Sequence, residues 1–345
     1  MPSTSPVFDE KLIEESSPPS KMYTTNPVIS SAEFVLEQTN IVKINDDAVK
    51  KATQYILQKV ASEPYTSAFW SEKEGQLDRY GVEWRASWNS QTTTVHTGYW
   101  SLVAALNRAL EEGIPIIDPQ FYSSEALCPD SLIAHVFRPA PQSSESIPLL
   151  NERLAIMREV GAILCNDEFG GSYLGFLQAF QRRYENQGTA LDLVQFVTDS
   201  FPSFRDDRMF NGRRVYFWKR SQILVAETWA AFYPESPYTP HPIFPGLNGA
   251  CISSLTMFAD YRLCAGTQLE SGSREEMSLR AASIVAVERI RSEMVRCGSD
   301  WEASCVLIDF YLWDLAKKLQ GGKECLEGIE TEDILPVHRT RSIWY

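Results

Sequence analysis

Three aspartates lie inside apolar stretches of the sequence and are the first candidates for chemistry. Asp260 sits in the middle of the stretch 253–263, and Asp309 and Asp314 lie in the aromatic-rich stretch 305–316. An ionised carboxylate among apolar neighbours is costly unless it is paired or hydrogen-bonded. Several such acids indicate a binding or catalytic site, but structural networks also hold buried acids. From the pattern alone both interpretations stay open: site acids, or helix caps and paired core acids.

The overall composition limits the partners that this protein can have. The chain has 345 residues and a formal net charge of −13, which opposes a non-specific grip on a nucleic-acid backbone. A local basic cleft could still hold a small phosphorylated ligand. The seven cysteines form no C-x-x-C pair and the four histidines lie far apart, so we predict neither a metal site nor a cofactor.

The beginning of the chain predicts a disordered arm rather than a targeting segment. Residues 1–28 are rich in Ser, Pro and Thr and lack an apolar core segment. No later apolar run reaches the length needed to span a bilayer. We therefore expect a soluble, cytoplasmic protein with no membrane partner, built as an arm over 1–28 and a single domain over 29–345.

Helical periodicity dominates the rest of the chain. Two short hairpins are expected, one within 80–97 and one over 209–217, where Asn211-Gly212 supplies the positive-φ residues of a tight turn. Gly170-Gly171-Ser172 resembles an anion-binding turn, but a plain helix–helix turn is favoured because the Lys-Ser/Thr of a P-loop is absent. The fold class predicted is mainly α and compact, with one or two small β-hairpins. The helices are expected at 46–61, 98–112, 148–166, 172–187, 190–200, 218–229, 275–296 and 302–319.

Several short segments, taken in order, resemble one family: the queuosine salvage proteins, which are queuosine 5′-phosphate N-glycosylases. No single piece would suffice, but together they run from residue 69 to the end of the chain. The matching segments are 69–72, 98–102, 107–116, 169–172, 200–206, 219–220, 222–226, 257–263, 309–314 and 338–339.

This resemblance implies a helical fold related to DNA glycosylases and a substrate, queuosine 5′-monophosphate, whose N-glycosidic bond is hydrolysed to release queuine for reuse in tRNA modification. By motif position, Asp260 corresponds to the family's catalytic carboxylate. The positions implied to contact the base are Phe258, Asp260, Asp309, Phe310 and Asp314. The partner implied is thus a small nucleotide, not a nucleic acid.

The implied reaction suits these residue types. Breaking a glycosidic bond builds positive charge on the ribose, and a nearby carboxylate stabilises that charge or activates water. Queuine carries ring N–H groups and a cationic aminomethyl side chain. Asp309 and Asp314 could accept hydrogen bonds from these donors. An aromatic ring at Phe258 or Phe310 could stack on the base.

Helix geometry restricts how these residues can share a pocket. On a helix Phe310 and Asp314 share a face, whereas Asp309 lies about 140° from Asp314. Phe258 and Asp260 would diverge on a regular helix. If both contact the base, the chain over 257–261 must be extended or kinked, and we predict that irregularity.

Cations for the 5′-phosphate are expected near the start of one helix. Lys219 and Arg220 are the first choice because they follow the predicted hairpin, and Arg262, Arg339 and Arg341 are further candidates. Each of these cations could equally be a surface or helix-end charge.

Two alternatives come from different functional classes. The family usually has a longer segment before residue 69, with a His that contacts the base, whereas here only 61–68 follow the first predicted helix. This shortening suggests a non-catalytic nucleotide-binding relative, which would bind without turnover. The second alternative is a base-excision enzyme acting on DNA, which the acidic balance opposes.

Overall fold

The protein is mainly helical, as the sequence predicts. The computed structural model describes residues 25–62, 85–87, 95–97, 99–141, 143, 145–234, 236, 238–259, 268–298, 304–320 and 340–344. The helices are α1 (Pro27–Glu37), α2 (Asp46–Ser62), α3 (Tyr99–Glu111), α4 (Pro119–Ser123), α5 (Asp130–Val136), α6 (Leu150–Leu164), α7 (Tyr173–Arg183), α8 (Ala190–Ser200), α9 (Lys219–Ala231), α10 (Arg274–Arg296) and α11 (Cys305–Gln320). Short 3₁₀ turns cover Pro202–Phe204 and Ile252–Ser254.

Two antiparallel hairpins accompany the helices, which confirms the predicted fold class. Strands β1 (Arg85–Ser87) and β2 (Val95–Thr97) form one, and β3 (Asp207–Phe210) and β4 (Arg213–Tyr216) form the other. In the second hairpin Asn211 and Gly212 have φ values of 45° and 79°. Both residues adopt the left-handed conformation that a two-residue turn requires, as their types predict.

Local capping signals account for where several helices begin. The Ser172 hydroxyl accepts a hydrogen bond from the Gly175 N–H at 3.0 Å, so the segment 169–172 serves as a helix–helix turn that caps α7. Thr189 and Asp192 form a capping box at the start of α8. At the other end of a helix, Gly113 has φ +78° just after α3, where the sequence predicts a stop.

Most of the core forms around α10, and a smaller apolar cluster lies apart from it. α1 packs along α10 and against β4, α2 and α11 also pack on α10, and α9 packs on α8. The separate cluster joins α3 and α5 through residues such as Ala105, Ile133 and Val136. α3 thus belongs to the smaller of the two clusters.

Three helices have no counterpart in the sequence prediction. α1 begins at Pro27, within the segment assigned to the arm, and its first residues Pro27 and Val28 are buried. α4 and α5 contain five and seven residues, too few for a helical period to show. Residues 1–24, where the rest of the predicted arm falls, lie outside the described residues.

Across the residues that the structure describes, no helix is both long enough and apolar enough to cross a membrane.

Candidate active site

Two aromatic side chains from distant parts of the chain meet in the interior. The ring centroids of Phe258 and Phe310 are 6.0 Å apart with an interplanar angle of 55°, and both side chains are buried. The stretch that leads to Asp260 therefore lies against the face of α11 that carries Phe310. This contact brings together the two sequence regions from which the base-contacting residues are predicted.

The two acids of α11 occupy different faces of the helix, as the spacing predicts. Asp314 is 8% exposed and lies one turn after Phe310, on the face directed toward Phe258. Asp309 is half-buried and lies one turn after Cys305, whose thiol donates to the Glu288 carboxylate of α10 at 3.2 Å. Asp314 is thus better placed than Asp309 for a direct contact with a ligand beside the two rings.

The chain next to Phe258 is not helical, which confirms the predicted irregularity as far as the structure describes it. After the 3₁₀ turn Ile252–Ser254, residues 256–259 form no helix, although Phe258 and Ala259 are buried. A non-helical backbone lets residues two apart point the same way. Asp260 itself, the predicted catalytic residue, lies outside the described residues.

A buried hydrogen-bond network fixes this non-helical segment to α9, and sequence reasoning missed it. The Gln222 side-chain amide donates to the Thr256 hydroxyl at 2.9 Å, and its oxygen accepts the Thr256 N–H, also at 2.9 Å. The Asn26 amide donates to the same Gln222 oxygen and to the Ser254 carbonyl, both at 3.0 Å. Gln222 is fully buried. The network positions the main chain two residues before Phe258.

The first turn of α9, where the predicted phosphate-binding cations lie, already holds a carboxylate. Asp206 is fully buried, accepts the Lys219 N–H at 3.3 Å and forms a bidentate pair with Arg280, whose Nη1 lies 3.1 Å from Oδ1. An acid at a helix N-terminus satisfies free N–H groups and complements the helix dipole. Lys219, 6% exposed, therefore starts the helix beside a carboxylate that also carries an ion pair.

Arg220, the second predicted cation, contacts Phe204 and Ile343. Successive residues on a helix lie about 100° apart, so Lys219 and Arg220 face different surroundings. The Arg220 guanidinium lies over the Phe204 ring at 4.9 Å, and its Nη1 donates to the Ile343 carbonyl at 3.2 Å. Burial lowers the pKa of Arg220, and the neighbouring charge of Arg153 lowers it further.

The remaining candidate cations contribute little to this picture. Arg341 is about half exposed and pairs with Glu145 at 3.0 Å, as a surface ion pair. Arg262 and Arg339 lie outside the described residues. The end of the chain packs against the rest of the protein, because Thr340, Ser342 and Trp344 are buried. No group of three or more potential metal ligands lies together within the described ranges.

The similarity of this chain to known proteins extends over nearly all of it. It is 34% identical to the queuosine 5′-phosphate N-glycosylase/hydrolase of Schizosaccharomyces pombe, across 92% of this chain and 99% of that protein. Proteins with the same name from Mus musculus and from the bacterium Sphaerobacter thermophilus are 32% and 31% identical, over 91% and 92% of this chain and 97% of each relative.

The alignment with the fission-yeast protein runs over 373 positions, against 345 residues in this chain, so that relative carries residues that this chain lacks. A family model described as queuosine salvage protein matches residues 45–266 and 263–345. These matches cover both the Phe258 stretch and α11, the two regions that meet at the site. The chain therefore belongs to the queuosine salvage protein family.

Proposed function

We propose that this protein hydrolyses the N-glycosidic bond of queuosine 5′-monophosphate and releases queuine for salvage into tRNA modification. The contact between Phe258 and Phe310 carries the proposal, because it joins the two segments that the family resemblance assigns to the base. The relatives named for this reaction align over nine-tenths of the chain, which supports the same assignment. The same coverage supports the predicted single domain over 29–345, which α1 extends back to Pro27.

Each predicted site residue has a role in this proposal. Asp260 is the catalytic carboxylate that stabilises the positive charge developing on the ribose or activates water. Phe258 and Phe310 bind the ring of the base between the two stretches, and Asp314 accepts hydrogen bonds from its polar edge. Asp309, on the neighbouring face of α11, contacts the base only if the pocket wraps around the helix. If the pocket does not wrap around the helix, Asp309 does not contact the base and instead positions a residue that does.

The 5′-phosphate is assigned to the first turn of α9. Gln222 ties this turn to Thr256, so the cations at Lys219 and Arg220 lie close in the fold to the Phe258 segment. The partner is a small nucleotide, because the net charge of −13 opposes a nucleic-acid duplex. The free thiols Cys128, Cys165, Cys251, Cys297 and Cys305 suit a reducing compartment such as the cytoplasm.

The test is direct release of the base. The purified protein is incubated with queuosine 5′-monophosphate and free queuine is measured by mass spectrometry. Asp260→Asn should lower the rate by roughly 10²–10³, because the positive charge of the transition state loses its carboxylate. Asp167→Asn is the matched control, since Asp167 is exposed and outside the site. Circular dichroism checks that both variants fold.

Two outcomes would change the assignment. Release that is equally fast in Asp260→Asn would remove Asp260 from its role. Tight binding of the nucleotide without release by the wild type would favour a non-catalytic nucleotide-binding relative. The short segment 61–68, where the resemblance implies a longer segment with a His that contacts the base, gives that alternative its specific support.

A further inference from the structure

One buried side chain from the segment that the sequence assigns to the arm reaches the stretch that carries Phe258. Asn26 is 8% exposed and lies immediately before α1, within the range 1–28. Its amide nitrogen lies 3.0 Å from the Gln222 oxygen of α9 and 3.0 Å from the Ser254 carbonyl oxygen, 196 and 228 positions away in the sequence. The beginning of the chain therefore contacts both α9 and the 3₁₀ turn that precedes Phe258.

The groups around Asn26 determine how its amide is oriented. The amide oxygen accepts the Val28 N–H at 3.0 Å and so caps α1. The amide nitrogen carries two N–H donors, enough for both the Gln222 oxygen and the Ser254 carbonyl. Reversing the amide would bring its oxygen against two acceptors. Asn26 thus joins α1, α9 and the 3₁₀ turn, and it needs its N–H donors to do so.

The helix that follows Asn26 gives this side chain a rigid support. α1 packs along α10 and against β4. The Ser31 hydroxyl accepts the Tyr216 N–H of β4 at 3.0 Å, which fixes α1 to the hairpin as well. A residue placed on packed elements of this kind holds its partners more precisely than a residue on a free loop.

The bonds made by Asn26 act on the main chain of the segment before Phe258. Ser254 is held directly, through its carbonyl. Thr256 is held indirectly, because the Gln222 oxygen that accepts from Asn26 also accepts the Thr256 N–H at 2.9 Å. Residues 256–259 form no helix, so their main-chain groups lack the partners that a helix would supply. The position of this segment therefore depends on contacts from outside it.

We propose that Asn26 is a positioning residue for the substrate base, which acts through the main chain to hold Phe258 beside Phe310. This inference rests on the proposed function and deepens it. Phe258 lies two positions after Thr256, and its ring meets that of Phe310 at 6.0 Å. Without the Asn26 donors the segment gains conformational freedom, and Phe258 no longer keeps one position for the base. The chain from Asn26 onward then belongs to the site, in contrast to the arm over 1–28 expected from the sequence.

Two substitutions remove the amide donors and keep the cap. Asn26→Ser and Asn26→Asp both leave an oxygen that can cap α1, but neither supplies the amide N–H groups. Asn26→Asp also sets a carboxylate against two acceptors, so its effect should be the larger. Asn45→Ser and Asn45→Asp are the matched controls. The exposed Asn45 oxygen accepts the N–H groups of Asp47 and Ala48 at the start of α2, at 3.0 and 3.1 Å.

The first measurement separates KM from kcat with queuosine 5′-monophosphate as substrate. We expect KM to rise roughly 10-fold in Asn26→Ser, and the dissociation constant of free queuine, measured by equilibrium dialysis, to rise by the same factor. A loss of folded protein alone would lower the apparent kcat and leave KM and the queuine affinity unchanged. That result in Asn26→Ser, or a KM equal to those of the Asn45 variants, overturns the positioning role while the proposed hydrolysis stands.

Hydrogen exchange tests the same role without turnover. The amide groups of 252–259 should exchange faster in Asn26→Ser than in the wild type, whereas those of α10 should exchange at an unchanged rate. Unchanged exchange over 252–259 overturns the inference. If the wild type neither releases nor binds queuine, the proposed function fails, and the exchange rates alone decide whether Asn26 positions this segment.

Discussion

Arginines are buried at two places beside the start of α9, and their surroundings differ in one respect. Arg280 of α10 is 2% exposed, lies over the Phe217 ring at 4.0 Å, and is paired with Asp206 and, at 3.7 Å, with Glu276. Arg153 and Arg220 are only half-buried, and among the described residues their guanidinium groups bond the main-chain carbonyls of Pro148 and Ile343 rather than a carboxylate. The positive charge of Arg280 is thus paired with carboxylates, whereas Arg153 and Arg220 form no ion pair among the described residues.

The difference separates an arginine whose charge is paired with carboxylates from arginines that bond only main-chain carbonyls among the described residues. Asp206 joins the hairpin, the first turn of α9 and α10, because its carboxylate bonds both Lys219 N–H and Arg280 while its carbonyl accepts the Phe217 N–H. Such an ion pair at the centre of several elements fixes their arrangement. Arg153 of α6 and Arg220 of α9 instead bond main-chain carbonyls, so neither charge fixes several elements through an ion pair among the described residues.

The largest effect on stability should follow from removing the charge of Arg280, which pairs with Asp206 and Glu276. Arg280→Met leaves Asp206 and Glu276 buried without their cation, and we expect the free energy of unfolding to fall by about 3–5 kcal/mol. Urea denaturation followed by circular dichroism measures this change. Arg289→Gln is the control, because Arg289 and Asp46 form an exposed pair worth about 1 kcal/mol or less.

Urea denaturation of Arg153→Gln tests the comparison between the paired Arg280 and the arginines that form no ion pair among the described residues. This substitution should change stability by no more than about 1 kcal/mol, because the lost bond to Pro148 is offset by relief of repulsion with Arg220. Equal losses in Arg280→Met and Arg153→Gln would mean that both arginines serve the fold alone.

An effect on stability that is smaller than that of Arg280→Met, with a separate effect on binding, is expected at Gln222. Gln222→Leu keeps the volume of the side chain but leaves the Thr256 N–H without its acceptor, and it removes one of the two hydrogen bonds made by the Asn26 amide and by the Thr256 hydroxyl. Each unsatisfied buried group costs about 1–3 kcal/mol. We also expect a higher KM for the nucleotide, since the segment before Phe258 loses its anchor.

Gln181→Leu is the comparison variant, because the Gln181 amide bonds the Pro242 carbonyl in an exposed position. An unchanged KM in Gln222→Leu, together with the expected loss of stability, would limit this network to a structural role.

Local signals in the sequence were sufficient to predict most of the fold. The long helices show clear periodicity, and Asn211-Gly212 determines its own turn through two positive φ values. α4 and α5 escaped prediction because one to two turns cannot display a period. α1 carries a readable start, since Asn26 caps it and Pro27 follows, but its burial depends on α10 and β4.

The relative positions of the site residues were predictable from the sequence only where the residues lie on the same helix. Spacing alone placed Phe310 and Asp314 on one face of α11, and the family resemblance assigned the Phe258 stretch to the same base. The anchoring of that stretch through Asn26 and Gln222 joins residues 196 positions apart, and no local pattern encodes such a contact.

Glu227 extends the comparison to a charge of the opposite sign, with the smallest expected effect. It is half-buried on α9, and no described residue pairs with it. Burial raises the pKa of Glu227 above its ordinary value of 4.5. The folded state therefore binds this proton more tightly than the unfolded state, so ionisation of Glu227 lowers stability as pH rises above that value.

Glu227→Gln should raise the free energy of unfolding at pH 8 by less than about 1 kcal/mol, or a few degrees in Tm, and leave it unchanged at pH 4. Thermal denaturation at both pH values, with the exposed Glu168→Gln as control, measures the difference. A gain of the same size at pH 4 would show that something other than the charge of Glu227 is responsible.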